Sequence, residues 1–543
     1  MAQHKDNQLM AWIRTQLPAA LRDFLPGQRW FGGKARTIES AEVLDIVPIA
    51  MDRREAFVIL AQVNYSEGRP DTYALPLIAM EGGQTPHSDE KGLPSQLLLK
   101  GDGEQKNLIL ADALSDDQFP TVFLDAIASG KTFAGGEGEI AASPTQAFQS
   151  WDFAKTDLHP SLMRAEQSNT SIRFGDRLIL KFYRRLQEGI NPDLEIGTFL
   201  TDKAAFENAP PLGGSLKYRS PQGQAMTLGI LQAFVPNQGD AWRHTLATLD
   251  SYYEKMSSSA FASKETAVPP HTVLELTRME VPQRVTEAIG EYWSSAGLLG
   301  RRTAQLHLAL ASGAGDPNFR PEPVSATFQR MQSESMRHLA SQVLRTLERK
   351  LVALPESIQN NAKKVLEHEN ELLARFDSFA DEKMAGEIIR IHGDYHLGQV
   401  LYTGSDFVII DFEGEPARSL EERRAKRCAL QDVAGMLRSF HYAAYTALWK
   451  HATGSSAGPD VTERLAAWAQ YWQAWVSARF LGEYLKTAAK AHFLPQSESE
   501  LMILLNAYLL DKAFYELGYE MNNRLDWVRL PLEGILQLVT THD

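Results

Sequence analysis

A chain of 543 residues is long enough for several domains, and with 44% hydrophobic and 23% charged residues it can bury cores of ordinary size. Its 55 basic against 68 acidic side chains leave a net charge of −13, which argues against a nucleic-acid surface, because phosphate binding needs a basic footprint. Cys428 is the only cysteine, so an intrachain disulfide is excluded, and no stretch has the length and apolarity of a bilayer span. The N-terminal residues lack the apolar centre of a signal peptide, so a soluble, cytoplasmic protein without membrane contact is expected.

Along the chain, an amphipathic helix is predicted over residues 8–24. Three β-branched or aromatic-rich runs follow, at 42–49, 55–65 and 71–80, and read as a small, mostly antiparallel sheet. Residues 82–94 and 134–144, rich in glycine and small residues, read as surface loops. A second β-rich region spans 150–235, and its clearest piece is a hairpin of 171–174 and 177–183 around Gly175-Asp176. From residue 246 helical periodicity dominates, at 296–311, 327–351, 358–379, 433–451, 461–489 and 500–518. Inside this helical half lie three short strand-like runs at 388–391, 399–402 and 407–412, the last two joined by the turn Thr403-Gly404-Ser405-Asp406. Residues 252–270, rich in serine, alanine and proline, read as a mobile insertion. The expected divisions are 1–105, 106–240 and 241–543.

The loop His392-Gly393-Asp394-Tyr395-His396-Leu397-Gly398-Gln399 carries the strongest chemical signal. Phosphoryl transfer needs a carboxylate to orient or deprotonate the attacking hydroxyl, a divalent metal to neutralise phosphate charge, and a cation on the donor phosphates. Asp394, on a loop between two strands, suits the first task. Gln399 offers an amide oxygen, and Asp411 follows 17 residues after Asp394 at a strand end; oxygen ligands of this kind suit Mg²⁺. An isolated His-Gly-Asp triplet reads more simply as a tight, hydrogen-bonded loop. The strand-turn-strand that follows it and the second acid at its end favour the chemical reading.

Lys181 interrupts the apolar strand Leu178-Ile179-Leu180-Lys181-Phe182-Tyr183, and Glu195, 14 residues on in a helix after Asn191-Pro192-Asp193, is its expected carboxylate partner. The turn Glu166-Gln167-Ser168-Asn169-Thr170-Ser171 is placed to cover phosphates, with Ser168, Asn169 and Thr170 as contacts, although it has no glycine-rich signature. The strand Leu228-Gly229-Ile230-Leu231 runs into Gln232-Ala233-Phe234-Val235-Pro236. That segment serves equally as a hinge whose Gln232, Phe234 and Val235 meet an adenine or as an ordinary core strand.

These residues, with Arg29-Trp30-Phe31-Gly32-Gly33-Lys34, Gly300 to His307, Asp411-Phe412-Glu413-Gly414-Glu415-Pro416 and Asp432 to Ser439, resemble the maltokinases over nearly the full length. That family belongs to the aminoglycoside-phosphotransferase-like kinases. The resemblance implies an α+β, two-lobed, protein-kinase-like fold with an N-terminal α/β cap domain and a mostly helical C-lobe. It also implies ATP- and Mg²⁺-dependent phosphorylation of maltose at its anomeric hydroxyl, giving maltose 1-phosphate and ADP and feeding α-glucan (glycogen) synthesis from trehalose. Asp394 would be the base, Gln399 and Asp411 the metal ligands, and Lys181 with Glu195 the phosphate-binding pair. His396, Glu413, Glu415 and Arg418 are candidate sugar contacts, with Tyr442 as a further aromatic. The alternatives are a kinase of another sugar such as glucosamine on the same scaffold, or an inactive partner of a trehalose synthase. Trp468, Trp472 and Trp475, at helical spacing, read as packing, as do Arg438 and His441.

Overall fold

The computed structural model describes residues 2–51, 54–80, 96–99, 108–151, 158–163, 168–257, 271–381, 384–454 and 459–540. The expected loop at 82–94 lies outside these residues, as does the 258–270 part of the expected insertion; residues 252–257 close the helix Ala241–Ser257 instead. The chain forms two compact units, 1–236 and 237–543, and the division falls directly after the Gln232–Val235 segment.

The first unit holds two antiparallel sheets. In the first, β1 (Ile38–Ala50), β2 (Glu55–Tyr65), β3 (Asp71–Ala79), β4 (Gln96–Leu99) and β5 (Leu108–Asp112) run in the order β1-β2-β3-β5-β4. The second uses β6 (Thr132–Ala134), β7 (Glu139–Pro144), β8 (Pro160–Met163), β9 (Asn169–Phe174) and β10 (Leu178–Tyr183). The two-residue β11 (Arg185–Leu186) returns to pair with β3, and β12 (Leu212–Arg219) and β13 (Ala225–Ala233) complete the second sheet, ordered β6-β7-β12-β13-β10-β9-β8. The first sheet therefore takes β5 and β11 from the segment expected to be a separate intermediate domain.

Alternation explains why the first sheet is buried on both faces. Along β2, Ile59, Ala61 and Val63 pack with Ile13, Leu17 and Leu21 of the helix Ala2–Phe24, while Val58 and Leu60 join Ile172, Leu180 and Phe182 of the second sheet in one core. Residues 134–144 are not a loop. They form most of the β6–β7 hairpin, because the wholly buried Asp45 carboxylate on β1 accepts from the backbone N–H groups of Gly136 (2.9 Å), Glu137 (3.0 Å) and Gly138 (2.8 Å). Side-chain capture of the turn supplies the order that its glycine-rich composition lacks.

The second unit is mostly helical, with long helices Tyr292–Leu310, Ala326–Lys350, Leu430–Gly454, Pro459–Thr487 and Glu498–Asn523. Trp468, Trp472 and Trp475 are buried in its core, as their spacing predicts. The run expected as one helix over 358–379 is two, Glu356–Glu367 and Glu369–Asp381, separated at His368, which has left the helical region. The expected strand at 388–391 reduces to Glu387–Ile388, with Ile389 bridging Arg427, because its partner Glu322–Pro323 is only two residues long. Val400–Tyr402 and Phe407–Ile409 form the expected hairpin.

Candidate active site

In the first unit the site is built on β10. Lys181 pairs through its backbone with Ser171 of β9 and Ile230 of β13, and its side chain is almost fully buried. A Cβ at neighbouring Gly229 would stand 2.9 Å from the Lys181 carbonyl oxygen, so only glycine allows β13 this close. Lys181 Nζ meets Asp193 Oδ2 at 3.0 Å, and the Tyr183 hydroxyl donates to the same oxygen at 3.0 Å. Asp193 opens the helix Pro192–Asp202, whose start is capped by Asn191 accepting from the Asp193 N–H at 2.9 Å. Asp193, which the sequence reading does not name as a partner, thus pairs with Lys181, two residues before the expected partner Glu195. Glu195 stands about 200° further round the helix and is half-buried.

Asn169 and Thr170 lie on β9 and are buried, and Ser168 precedes them, exposed. Glu166 and Gln167 of the same turn lie outside the described residues. Gln232 pairs with Ile179 across β10–β13, and the Phe234 N–H donates to the Arg177 carbonyl at 2.7 Å. Gln232, Phe234 and Val235 are all half-buried at the end of this unit.

In the second unit the loop around Asp394 is held by buried groups. Asp432 accepts from the backbone N–H groups of His392 (2.8 Å) and Gly393 (2.9 Å) and from His307 Nε2 (3.1 Å). Burial opposes its charge, but His307 and these N–H groups together hold the carboxyl below the usual range. His392 Nδ1 accepts from the Asp394 N–H at 3.3 Å, which leaves Nε2 to donate to the Ile410 carbonyl at 2.9 Å. The hydroxyl of Ser439 accepts from the Leu397 N–H at 3.1 Å, and a Cβ at Gly435 would sit 2.5 Å from the Tyr395 carbonyl oxygen. The helix Leu430–Gly454 therefore presses directly on the loop through three of its residues.

Gln399 and Asp411 come together as expected: the Gln399 amide nitrogen donates to Asp411 Oδ2 at 3.1 Å. Asp411 has φ +65, a left-handed conformation that Asp tolerates better than most residues and that turns its carboxylate at the strand end. Turned by 180°, the Gln399 amide offers its carbonyl oxygen beside the carboxylate, an all-oxygen donor set that fits Mg²⁺. Glu413 brings a carboxylate oxygen within 4.8 Å of one on Asp411, so it stands with the metal-type ligands rather than in the pocket beside Asp394.

That pocket, about 40 Å³, is lined by Asp394, Glu415, Arg418, Asp511, Lys512 and Tyr515 among others. Glu415 accepts from Arg418 Nε at 2.8 Å, and Lys512 Nζ stands 3.8 Å from Asp394 Oδ1. Burial pushes the Asp511 carboxyl up to about 6, against the pull of Arg418. Of the four expected sugar contacts, Glu415 and Arg418 line the pocket, while His396 and Glu413 are not among its lining residues. His396 caps the turn Leu397–Gln399, accepting from the Gly398 N–H at 3.0 Å, and burial lowers its pKa although Asp394 opposes this. Tyr442 stacks on Trp527 with ring centroids 6.3 Å apart, away from the pocket lining. Asp511, Lys512 and Tyr515 escaped the sequence reading as site residues; their signal was an adjacent acid and base directly after the mostly apolar run 501–510 of the helix Glu498–Asn523.

Among the described residues no helix is long and apolar enough to cross a membrane. Residues 24–116 match the family described as the maltokinase N-terminal cap domain. A glucosamine kinase of Streptacidiphilus jiangxiensis is 27% identical over 195 residues, covering 36% of this chain and 38% of that protein. One of Mycolicibacterium smegmatis (strain ATCC 700084 / mc(2)155) is 25% identical over 302 residues, covering 55% of this chain and 63% of that protein. The matched regions thus span less than two thirds of either relative. Two solved structures cover nearly everything: a glucosamine kinase in complex with glucosamine, ADP and inorganic phosphate (TM-score 0.58, 17% identity, 92% of this chain and 94% of that one) and a glucosamine kinase in crystal form B (TM-score 0.60, 18% identity, 95% and 99%). At such identity the likeness shows the fold. The chain thus carries a segment that matches the maltokinase cap, on a kinase-like fold with a mostly helical C-terminal part.

Proposed function

We propose that the chain is an ATP-dependent sugar kinase that phosphorylates maltose at its anomeric hydroxyl to give maltose 1-phosphate and ADP. The observation that carries the kinase reading is the Asp394 carboxylate, braced through its loop by Asp432 and opening onto a polar pocket with Lys512 beside it. Asp394 accepts the proton of the acceptor hydroxyl as its oxygen attacks the γ-phosphorus, the bond to the β-phosphate oxygen breaks, and ADP leaves. Lys512, 3.8 Å from Asp394, lies where it can offset charge on the transferring group. Lys181, oriented by Asp193, holds the donor phosphates. Gln399 and Asp411 would hold Mg²⁺, which supplies charge neutralisation on the phosphates. Glu415 and Arg418, already paired, present acceptors and donors to sugar hydroxyls. The Arg29–Lys34 and Asp411–Pro416 segments support maltose, with a trehalose synthase as its supplier and partner and α-glucan synthesis as its consumer.

A second reading, phosphorylation of glucosamine, is favoured by the charge of the pocket. The carboxylates of Asp394, Glu415 and Asp511 outnumber the cations Arg418 and Lys512, which suits an ammonium-bearing sugar. Coupled ADP release across maltose, glucose, glucosamine and an aminoglycoside decides between them. Turnover of glucosamine with none of maltose would overturn the maltose proposal; no turnover of any sugar would overturn the kinase reading.

A further inference from the structure

A second cavity, about 180 Å³, lies within the helical unit and shares no lining residue with the Asp394 pocket. Its apolar lining includes Leu437, Met502, Leu505 and Leu509, the last three forming one stripe of the helix Glu498–Asn523, and the amide side chains of Gln470, Gln473, Asn506 and Gln537 line it as well. His441 projects into it. This imidazole is 1% exposed, yet among the described residues neither Nδ1 nor Nε2 has a hydrogen-bonding partner. Such a group is costly to bury unless something satisfies it. Arg438, the one strong cation in the lining, is already committed, donating to Glu516 from Nε at 2.9 Å and Nη2 at 2.6 Å. Burial and the Arg438 charge push the His441 pKa far down, so the ring is neutral and presents one N–H and one lone pair. The lining runs on to exposed His271, so the cavity reaches solvent.

We infer that this cavity is a binding site for an uncharged, one-ring amphiphile whose hydroxyl bonds to His441, and that its occupancy is felt at the Asp394 loop. The size fits, since an apolar cavity of about 150 Å³ holds a benzene molecule. The walls mix apolar side chains with neutral amides, Arg438 is paired with Glu516, and the imidazole without a partner among the described residues specifies a hydroxyl. The link to the loop is covalent continuity. The helix Leu430–Gly454 carries Leu437, Arg438 and His441 on the cavity and Asp432, Gly435 and Ser439 on the loop. The helix Glu498–Asn523 carries Leu505 and Leu509 on the cavity and Asp511, Lys512 and Tyr515 in the Asp394 pocket.

The test titrates the full chain with phenol and with benzene, read by ligand-observed NMR and by amide hydrogen exchange. Phenol should bind roughly fivefold tighter than benzene, the worth of one neutral hydrogen bond. His441→Leu should erase that preference, and Ala474→Leu, which narrows the cavity from another helix, should weaken both ligands. Phenol should also slow exchange of the His392, Gly393 and Leu397 amides. Equal affinity of phenol and benzene for the unaltered protein, or an unchanged preference in His441→Leu, overturns the site. Binding that leaves those three amides unaltered overturns its coupling to the loop.

Discussion

Arg184 Nε donates to the Thr170 hydroxyl at 2.8 Å, and this bond ties the candidate phosphate-covering strand to the N-terminal cap. The same guanidinium pairs with Asp112 at 2.5 Å through Nη2 and lies 4.8 Å over the ring of Trp30, within the Arg29–Lys34 motif. One buried cation therefore joins the cap motif, β5 and β9. The cap acquires a concrete physical role from this contact: it fixes the orientation of the arginine that fixes Thr170.

Arg184→Lys keeps the charge but cannot serve Thr170, Asp112 and the Trp30 face together, because an ammonium lacks the planar fork. The Michaelis constant for ATP should rise about fivefold to tenfold with kcat little altered, corresponding to the loss of roughly 1–1.5 kcal/mol. Steady-state kinetics with varied ATP check this, and an unchanged ATP constant would detach Thr170 from nucleotide binding.

Asp394→Asn should lower turnover by at least about a hundredfold, the usual worth of a positioned general base, while nucleotide affinity stays within a factor of two or three of the original. Isothermal titration with ATP analogues alongside coupled ADP release separates the two effects. Residual turnover near the original level would remove Asp394 from the chemistry.

Asp411→Ala should weaken nucleotide binding in the presence of Mg²⁺ and leave metal-free nucleotide binding nearly unaltered, since only the metal-bridged contact is lost. Chelation of Mg²⁺ from the unaltered protein should reproduce the defect. Gln399→Glu adds a charge beside Asp411 and should shift the metal dependence to lower Mg²⁺ concentrations.

The Lys181 partner is open to direct comparison. Because the 3.0 Å ion pair runs to Asp193, Asp193→Ala removes a close counter-charge from a buried ammonium and should destabilise the protein by about 3 kcal/mol. Glu195→Ala should cost under about 1 kcal/mol, as expected of a half-buried helical position. Thermal melts give the ordering; a larger loss for Glu195→Ala would restore it as the main partner.

Asp511 sets a pH dependence. Its folded pKa of about 6 lies above the ordinary carboxyl value of 3.8, so the folded chain binds this proton more tightly than the unfolded one. Stability from this group is therefore full below about pH 4 and is lost as pH rises through 6. Asp511→Asn should remove that loss and raise stability at pH 7 by about 3 kcal/mol relative to the original, with the gap closing toward pH 4. Denaturation at pH 4.5, 6 and 7.5 measures it, and a pH-independent gap would contradict a raised pKa.

Much of this was legible from residue order alone. Runs rich in β-branched and aromatic residues marked β1 to β3, the Gly175-Asp176 pair marked the β9–β10 hairpin, and the Thr403–Asp406 turn marked the strands that bring Gln399 to Asp411. These are local features: a turn and its flanking pattern set register over a few residues. The same locality made Lys181 and Asp394 visible, since each is a polar residue in a segment whose pattern demands an explanation.

What depended on contacts between distant segments was not legible. Residues 134–144 looked like a loop because nothing nearby shows that Asp45, some 90 residues earlier, clamps their turn. The identity of the Lys181 partner turns on helix phase, which separates Asp193 from Glu195 by about 200° and which composition does not report. The neighbours of Asp394 in its pocket, Asp511, Lys512 and Tyr515, lie more than a hundred residues downstream. The sequence by itself determined most of the strands and helices and marked the loop around Asp394 as the candidate site, because those follow from short-range pattern and residue type. Only the tertiary structure decided which charges share a cavity, because burial and pairing are properties of the packed chain.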